Sequence, residues 1–164
     1  MATNLIYQKP ETTITFQDSS GDAAITLANL AAGAGRVSAQ YDRGAGSKAM
    51  RLKWEAAMKA GATVVVGAVY RIYATAGTVN TYADYLADAG IATETMFSNF
   101  WLIGHVVCSI VTSGTVFYGN GVIEMPGRYV NVGLWNATGA ILTNTANVNW
   151  IKLTPFPDEI QAAA

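Results

Sequence analysis

The sequence predicts an all-β protein, a single-domain antiparallel β-sandwich of jelly-roll-like type with one long loop insertion. Three observations support this prediction. Short runs of β-branched and aromatic residues recur along the chain, clusters of Gly, Pro, Asn, Asp and Ser separate them, and no internal repeat suggests a propeller or a solenoid. The length of 164 residues is typical of one domain.

Short strands separated by turns are predicted for the first part of the chain. A β-branched and aromatic run at 12–16 indicates the first strand, and extended patterns follow at 23–27 and 37–41. Clusters of Asp, Ser and Gly follow the first and the third of these runs and indicate loops. Residues 1–11 are expected to form an N-terminal arm.

Residues 50–59 have the clearest pattern in the chain. Apolar residues occupy every even position, and the odd positions hold Arg51, Lys53, Glu55, Ala57 and Lys59. This period of two predicts a strand with one buried face. A short helix is the alternative, because residues 55–60 have high helix propensity and Gly61 could end a helix. The strand is preferred, since the alternation covers ten positions without a break.

Most of the second half is also predicted to be β-structure. Residues 63–73 form a strong strand pattern that is apolar on both faces in its first half. Further strands are predicted at 101–111, 115–118, 122–125, 129–135 and 147–154. The sequence Gly119-Asn120-Gly121 indicates a hairpin turn between two of them. Residues 155–164 are expected to form a C-terminal tail.

One long uncharged stretch could be either a membrane-spanning helix or buried strands. Asp, Glu, Lys and Arg are absent from residues 95–123, and the apolar part at 101–118 is long enough to span a bilayer. Its apolar residues are largely β-branched, however, and Ser113-Gly114 indicates a turn. Two buried strands are therefore preferred.

The segment 77–100 is predicted to be a polar and aromatic insertion loop, with room for one or two helical turns at 82–89. Loops of this length are often functional. Its carboxylates, Asp84, Asp88 and Glu94, could collect Ca²⁺, but they lack the order of ligands found in an EF-hand. A solvated loop is the preferred interpretation.

No catalytic residue, cofactor-binding residue or metal ligand is predicted. The single histidine, His105, lies in the most apolar stretch, which favours a core or interface imidazole over a general base or metal ligand. The single cysteine, Cys108, would point to the opposite side of a strand, which argues against a Cys–His pair and favours a buried, inert thiol. The glycine-rich segments 33–36 and 44–48 lack the spacing of phosphate-binding loops.

Charged residues are sparse, at 13% of the chain, and the formal net charge is -1. Nucleic-acid binding needs clustered Lys and Arg to replace counterions, so no nucleic-acid partner is expected. Residues 1–6 do not resemble a signal peptide, and no membrane partner is expected. A monomer usually covers itself with charges, whereas interface cores are depleted in Lys, Glu and Asp. The composition therefore favours a subunit of a larger assembly over an enzyme.

Two segments resemble a known family. Residues 27–44 (LANLAAGAGRVSAQYDRG) and the C-terminal pieces 127–132, 136–140 and 154–161 are similar to segments of head-decoration (cement) and related small virion structural proteins of tailed bacteriophages. The resemblance implies a β-sandwich that binds the lattice of the major capsid protein and stabilises the head. It also implies a place on the capsid surface, synthesis in the host cytoplasm and contact with neighbouring copies of itself.

Contact residues for such a partner are expected on the two terminal segments and on the insertion. Extended termini can add a strand to the sheet edge of a neighbour, although frayed and unimportant ends are the alternative. The candidate contact residues are Asn4, Ile6, Tyr7, Tyr82, Tyr85, Phe97, Phe156 and Ile160.

Other functions remain open. The chain could be a tail or head-fibre component, or a carbohydrate-binding, receptor-binding module that stacks sugars on its aromatic residues. The carbohydrate alternative predicts exposed, coplanar aromatic side chains with Asp or Asn beside them. A small hydrolase is a further alternative, and it predicts that His105 lines a pocket beside a carboxylate.

Overall fold

The computed structural model describes residues 5–8, 10–45, 49–79 and 87–161, with the backbone alone for 5–8 and 158–161. These residues form thirteen strands and one 3-10 turn, Glu94–Phe97. The strands are β1 (Leu5–Gln8), β2 (Ile14–Gln17), β3 (Ala23–Ala24), β4 (Gly35–Val37), β5 (Tyr41–Asp42), β6 (Arg51–Lys59), β7 (Val69–Gly77), β8 (Ala89–Ile91), β9 (Trp101–Val107), β10 (Val116–Glu124), β11 (Tyr129–Asn136), β12 (Trp150–Pro155) and β13 (Asp158–Gln161).

Eight of these strands form a jelly roll. All four pairs are antiparallel and nested: the first of the eight strands pairs with the last, the second with the second-last, and so on. The pairs are β2 with β12, β4 with β11, β6 with β10 and β7 with β9. The first sheet has the order β10-β6-β12-β2-β3, and the second sheet has the order β8-β4-β11-β7-β9. This topology confirms the predicted all-β sandwich of jelly-roll-like type.

The remaining short strands extend the two sheets or stand apart. β3 extends the first sheet, β8 extends the second, and β5 pairs with one end of β11. β1 and β13 pair with each other in a separate two-stranded sheet, which we call the terminal ribbon. The predicted N-terminal arm and C-terminal tail thus meet through their backbones.

The alternating pattern at 50–59 forms a strand as predicted, and the helical alternative is wrong. In β6, Leu52, Trp54, Ala56 and Met58 are buried in the core, while Lys53 and Glu55 lie on the outer face. A helix would have placed these apolar residues on all sides, whereas a strand puts them on one face. Because β6 lies between β10 and β12, it is a central strand of the first sheet.

The predicted hairpin turn at Gly119-Asn120-Gly121 is wrong, because β10 runs straight through it. Both glycines lie beneath the indole of Trp54, which fills the space between the sheets. A Cβ on Gly121 would lie 2.5 Å from Trp54 Nε1, and a Cβ on Gly104 in β9 would lie 2.1 Å from Trp54 Cζ2. These glycines therefore provide room for an aromatic ring and do not reverse the chain.

The strand predicted at 63–73 begins only at Val69. Residues 63–68 form a loop whose Val65 and Val66 are exposed, and Gly67 adopts a positive φ of 85°. The loop is fixed by backbone hydrogen bonds between Gly67 N–H and the Cys108 carbonyl and between Cys108 N–H and the Ala68 carbonyl. β-branched residues thus occupy a turn here, because tertiary hydrogen bonds override local propensity.

The second half of the insertion packs onto the outer face of the second sheet. It contributes β8 and the 3-10 turn, and Ala89 belongs to the strand instead of the predicted helical turns. A second hydrophobic cluster forms there from Val37, Tyr73, Ile91, Phe97 and Phe100, with Trp135 packed against it. Residues 80–86 lie outside the described part. In the described ranges we find no helix with the length and hydropathy needed to cross a bilayer.

Candidate interaction surface

The described contact residues of the two termini lie in or beside the terminal ribbon. Ile6 and Tyr7 belong to β1, and Ile160 belongs to β13, where its Cα is the partner of that of Ile6. Phe156 is half-buried just before β13, and its N–H donates to the Arg51 carbonyl. Asn4, like Tyr82 and Tyr85 of the insertion, lies outside the described residues.

Phe97 is buried instead of lying on a surface. It is 3% exposed and stacks on Tyr73 with 4.4 Å between the ring centroids. The sheet leaves room for the ring at two glycines, since a Cβ on Gly133 would lie 2.3 Å from Phe97 Cε1 and one on Gly35 would lie 3.0 Å from Cε2. The expectation that Phe97 is presented to a partner is therefore corrected: its ring fastens the insertion to the second sheet.

His105 and Cys108 lie on opposite sides of the chain, as predicted. Cys108 is buried, and burial raises the pKa of its thiol, which keeps it protonated and unreactive. His105 is exposed on the outer face of β9, so the core alternative of its prediction is wrong, while the interface alternative stays a prediction. Its neighbour across the strand pair is Arg71.

Glu94 is held by two donors on the outer face of the second sheet. The Arg71 guanidinium and the Tyr73 hydroxyl both donate hydrogen bonds to its carboxylate. Burial alone would raise the pKa of Glu94, but these hydrogen bonds, with the charges of Arg71 and His105, bring that pKa below its ordinary value. Burial and the bond to Glu94 raise the pKa of Tyr73 to about 12. The Glu94 carboxylate, whose pKa is influenced by His105, therefore already accepts hydrogen bonds from Arg71 and Tyr73.

Asp88 fixes the start of the same segment. Its carboxylate accepts 2.6 Å from Arg36 Nε and 3.0 Å from the Thr26 N–H, and the Thr26 hydroxyl also donates to it. Burial acts to raise the pKa of Asp88, but these bonds lower it overall. Of the carboxylates that could have collected Ca²⁺, Asp88 and Glu94 are described, and each already accepts hydrogen bonds from an arginine and a hydroxyl group. Among the described residues, no three His, Cys, Asp or Glu side chains are grouped to hold a metal ion.

Acidification is expected to loosen the insertion through Glu94. Because its folded pKa is lowered, its stabilising contribution is complete above about pH 4.3, the ordinary value for Glu, and is lost as the pH falls through the folded value. Urea unfolding at about pH 6 and about pH 3 measures this loss. Glu94→Gln should show a smaller loss than the wild type. Glu124→Gln, an exposed carboxylate on the first sheet, is the control and should behave as the wild type does.

Three loops without charged residues lie together at one end of the sandwich. They are residues 61–68, 108–115 and 137–149, and none contains Asp, Glu, Lys or Arg. Their large exposed aliphatic side chains are all β-branched and are Val65, Val66, Ile110, Val111 and Ile141. We call this surface the charge-free loop end.

Backbone hydrogen bonds hold these loops together. Gly61 N–H donates to the Ile141 carbonyl at 2.8 Å, and Gly114 N–H donates to the Ala60 carbonyl at 2.9 Å. The first two loops are joined by the bond from Gly67 N–H to the Cys108 carbonyl and the bond from Cys108 N–H to the Ala68 carbonyl. The five aliphatic side chains are therefore carried on a fixed backbone. Sequence reasoning missed this surface because it assigned the first loop to a buried strand, although the absence of charge was visible.

A pocket of about 300 Å³ lies at the opposite end of the sandwich, where β5 and the end of β12 meet. Its described lining residues are Glu11, Thr12, Ile14, Tyr41, Arg43 and Pro155. The Arg43 guanidinium donates to the carbonyls of Ala49 at 2.7 Å and Gly127 at 3.0 Å. Burial lowers the pKa of Arg43, while the Glu11 carboxylate acts to raise it. This arginine therefore joins two loops to the end of the sandwich.

Comparisons with known proteins yield little similarity. No protein-family model and no curated protein matches this chain. Among solved structures, the chain is similar to the K2 cleaved adhesin domain of Lys-gingipain (Kgp), with 10% identity over 76% of this chain and a TM-score of 0.30. The match spans 63% of that domain. A likeness this weak supports no argument, and the fold assignment depends on the strand pairing alone.

Proposed function

We propose that this protein is a bacteriophage virion structural protein, a capsid decoration protein that binds the lattice of the major capsid protein and stabilises the head. The charge-free loop end is the observation that supports this proposal best. Five exposed aliphatic side chains without a neighbouring charge within their loops are typical of a surface that another protein covers. The resemblance of residues 27–44 and of the C-terminal pieces to virion proteins suggests which partner that is.

Stabilisation follows from binding alone. A protein that binds the assembled shell better than a free or expanding one shifts the equilibrium towards the shell by mass action. Many copies on one lattice, in contact with each other, add avidity without new contacts at each site. The proposed location is the capsid surface, and no enzymatic activity is needed for this role. A tail or head-fibre component would use the same apolar surface on a different virion protein.

Binding to the head is expected to depend on the charge-free loop end. Val66→Lys places an ammonium group in the apolar surface and should weaken binding by about tenfold or more, because each 1.4 kcal/mol of desolvation cost is a factor of ten. Val79→Lys is the matched control, since Val79 is 55% exposed and Val66 is 56% exposed, but Val79 lies beyond the far end of β7. Cosedimentation with purified heads of the phage that encodes the chain measures the affinity.

The same measurement separates the proposed roles. Saturable binding to heads, with a raised temperature of head disruption, supports decoration. Binding to isolated tails but not to heads would replace decoration with a tail role. Absence of binding to either particle, or an equal effect of Val66→Lys and Val79→Lys, would contradict the proposal.

A further inference from the structure

The outer face of the first sheet presents aromatic and polar side chains in ordered rows. Phe117 and Ile151 point into the core, so their neighbours Tyr118 and Trp150 point outward. Tyr118 is 70% exposed and Trp150 is half-buried. The second sheet differs, because the insertion packs onto its outer face.

The strand register aligns the two aromatic residues across β6. Tyr118 pairs with Ala57, and Ala57 pairs with Trp150, so only a methyl group stands between the two rings along this row. Adjacent strands are about 4.8 Å apart, which places the two aromatic residues about 10 Å apart at their Cα atoms. Both side chains therefore stand on the outer face of the first sheet, on either side of Ala57.

A polar row lies beside the aromatic one. Asn120 pairs with Glu55, and Glu55 pairs with Lys152, all on the same outer face. Glu55 is paired with Lys53, two positions earlier in β6, with 2.8 Å between Nζ and Oε1, and Lys152 Nζ lies 4.4 Å from the centroid of the Trp150 ring.

We infer that this face is a binding platform for a neutral saccharide, formed by Tyr118 and Trp150 with Asn120 and Glu55 beside them. The faces of aromatic rings carry negative charge and attract the weakly positive C–H bonds of a sugar ring. The amide and the carboxylate can bond to sugar hydroxyls, since one donates and accepts and the other accepts. Neither ring stacking nor hydrogen bonds to hydroxyls require a charge on the ligand, so the inference is made for a neutral sugar chain.

The platform is independent of the proposed head binding. It consists of strand residues on a sheet face, whereas the charge-free loop end consists of loops at one end of the sandwich. The two sites can therefore be tested separately, and loss of one does not imply loss of the other.

Polysaccharide binding by the full chain tests the inference. The probes are insoluble cellulose, chitin and starch, soluble dextran and mannan, and heparin as an anionic comparison. We expect retention on at least one neutral probe that persists at high salt, and Tyr118→Ala or Trp150→Ala should weaken it by up to about tenfold each. Tyr118→Phe should preserve most of the binding, because the ring is retained.

Val122→Ala is the matched control. Val122 lies on the same strand and the same face and is 64% exposed, but it is outside the two rows. Because Tyr118 is exposed, its replacement should not affect folding, which a thermal melt checks. Absence of binding to every neutral probe, equal effects of Tyr118→Ala and Val122→Ala, or binding to heparin alone that salt abolishes would overturn the inference.

Discussion

Gly104→Ala is expected to destabilise the protein by about 3 kcal/mol, near the upper end for overpacking a core. Its new Cβ would lie 2.1 Å from Trp54 Cζ2, and the indole is a rigid ring enclosed between the sheets. The ring has little room to move, because Gly119 and Gly121 line it on the neighbouring strand with Cβ positions as close as 3.2 Å and 2.5 Å. The jelly roll must therefore open locally to accept one methyl group.

Urea unfolding followed by circular dichroism measures this effect against a matched glycine. Gly139→Ala is the control, since nothing lies within 4 Å of its Cβ position. A double-mutant cycle identifies the cause: Trp54→Phe shortens the ring, so Gly104→Ala should cost about 1–2 kcal/mol less in that background. Equal costs in both backgrounds, or equal costs for Gly104→Ala and Gly139→Ala, would show that the indole does not limit this site.

The same residues explain where sequence reasoning succeeded and failed. The alternation at 50–59 is a local signal, and it predicted both the strand and its buried face. The glycines at 119 and 121 are ambiguous locally, because glycine serves equally in a turn and beneath a large side chain. Only the pairing of β10 with β6, which is far away in sequence, shows that their partner is Trp54. The jelly-roll class could be predicted, but its register could not.

The loop end and the aromatic row could not be predicted from the sequence for a related reason. Val65 and Val66 have the composition of a buried strand, and their exposure depends on hydrogen bonds to the loop at 108–115. Tyr118 and Trp150 are 32 positions apart in the sequence, and only the register on both sides of Ala57 brings them into one row. The absence of charged residues from these loops is visible in the sequence, but it does not show that their aliphatic side chains are exposed.

Phe97→Ala is expected to detach the second half of the insertion while the jelly roll stays folded. Deleting a buried phenylalanine ring typically costs about 3–5 kcal/mol. Here the ring stacks on Tyr73 and belongs to the small second cluster instead of the main core. The loss should therefore fall mainly on local opening of β8 and the 3-10 turn, since segments with few buried contacts open independently of the core.

Amide hydrogen exchange distinguishes local from global loss. Protection at β8 and in the 3-10 turn should fall in Phe97→Ala, while amides of β6 and β12 keep theirs. Met96→Ala is the control from the same turn, because Met96 is 39% exposed. Gly133→Ala should loosen the same segment by pushing the ring away, and it should cost less when Phe97 is already alanine. Uniform loss of protection across all strands would instead mean that the insertion and the jelly roll form one cooperative unit, with the Phe97 ring as part of a single core.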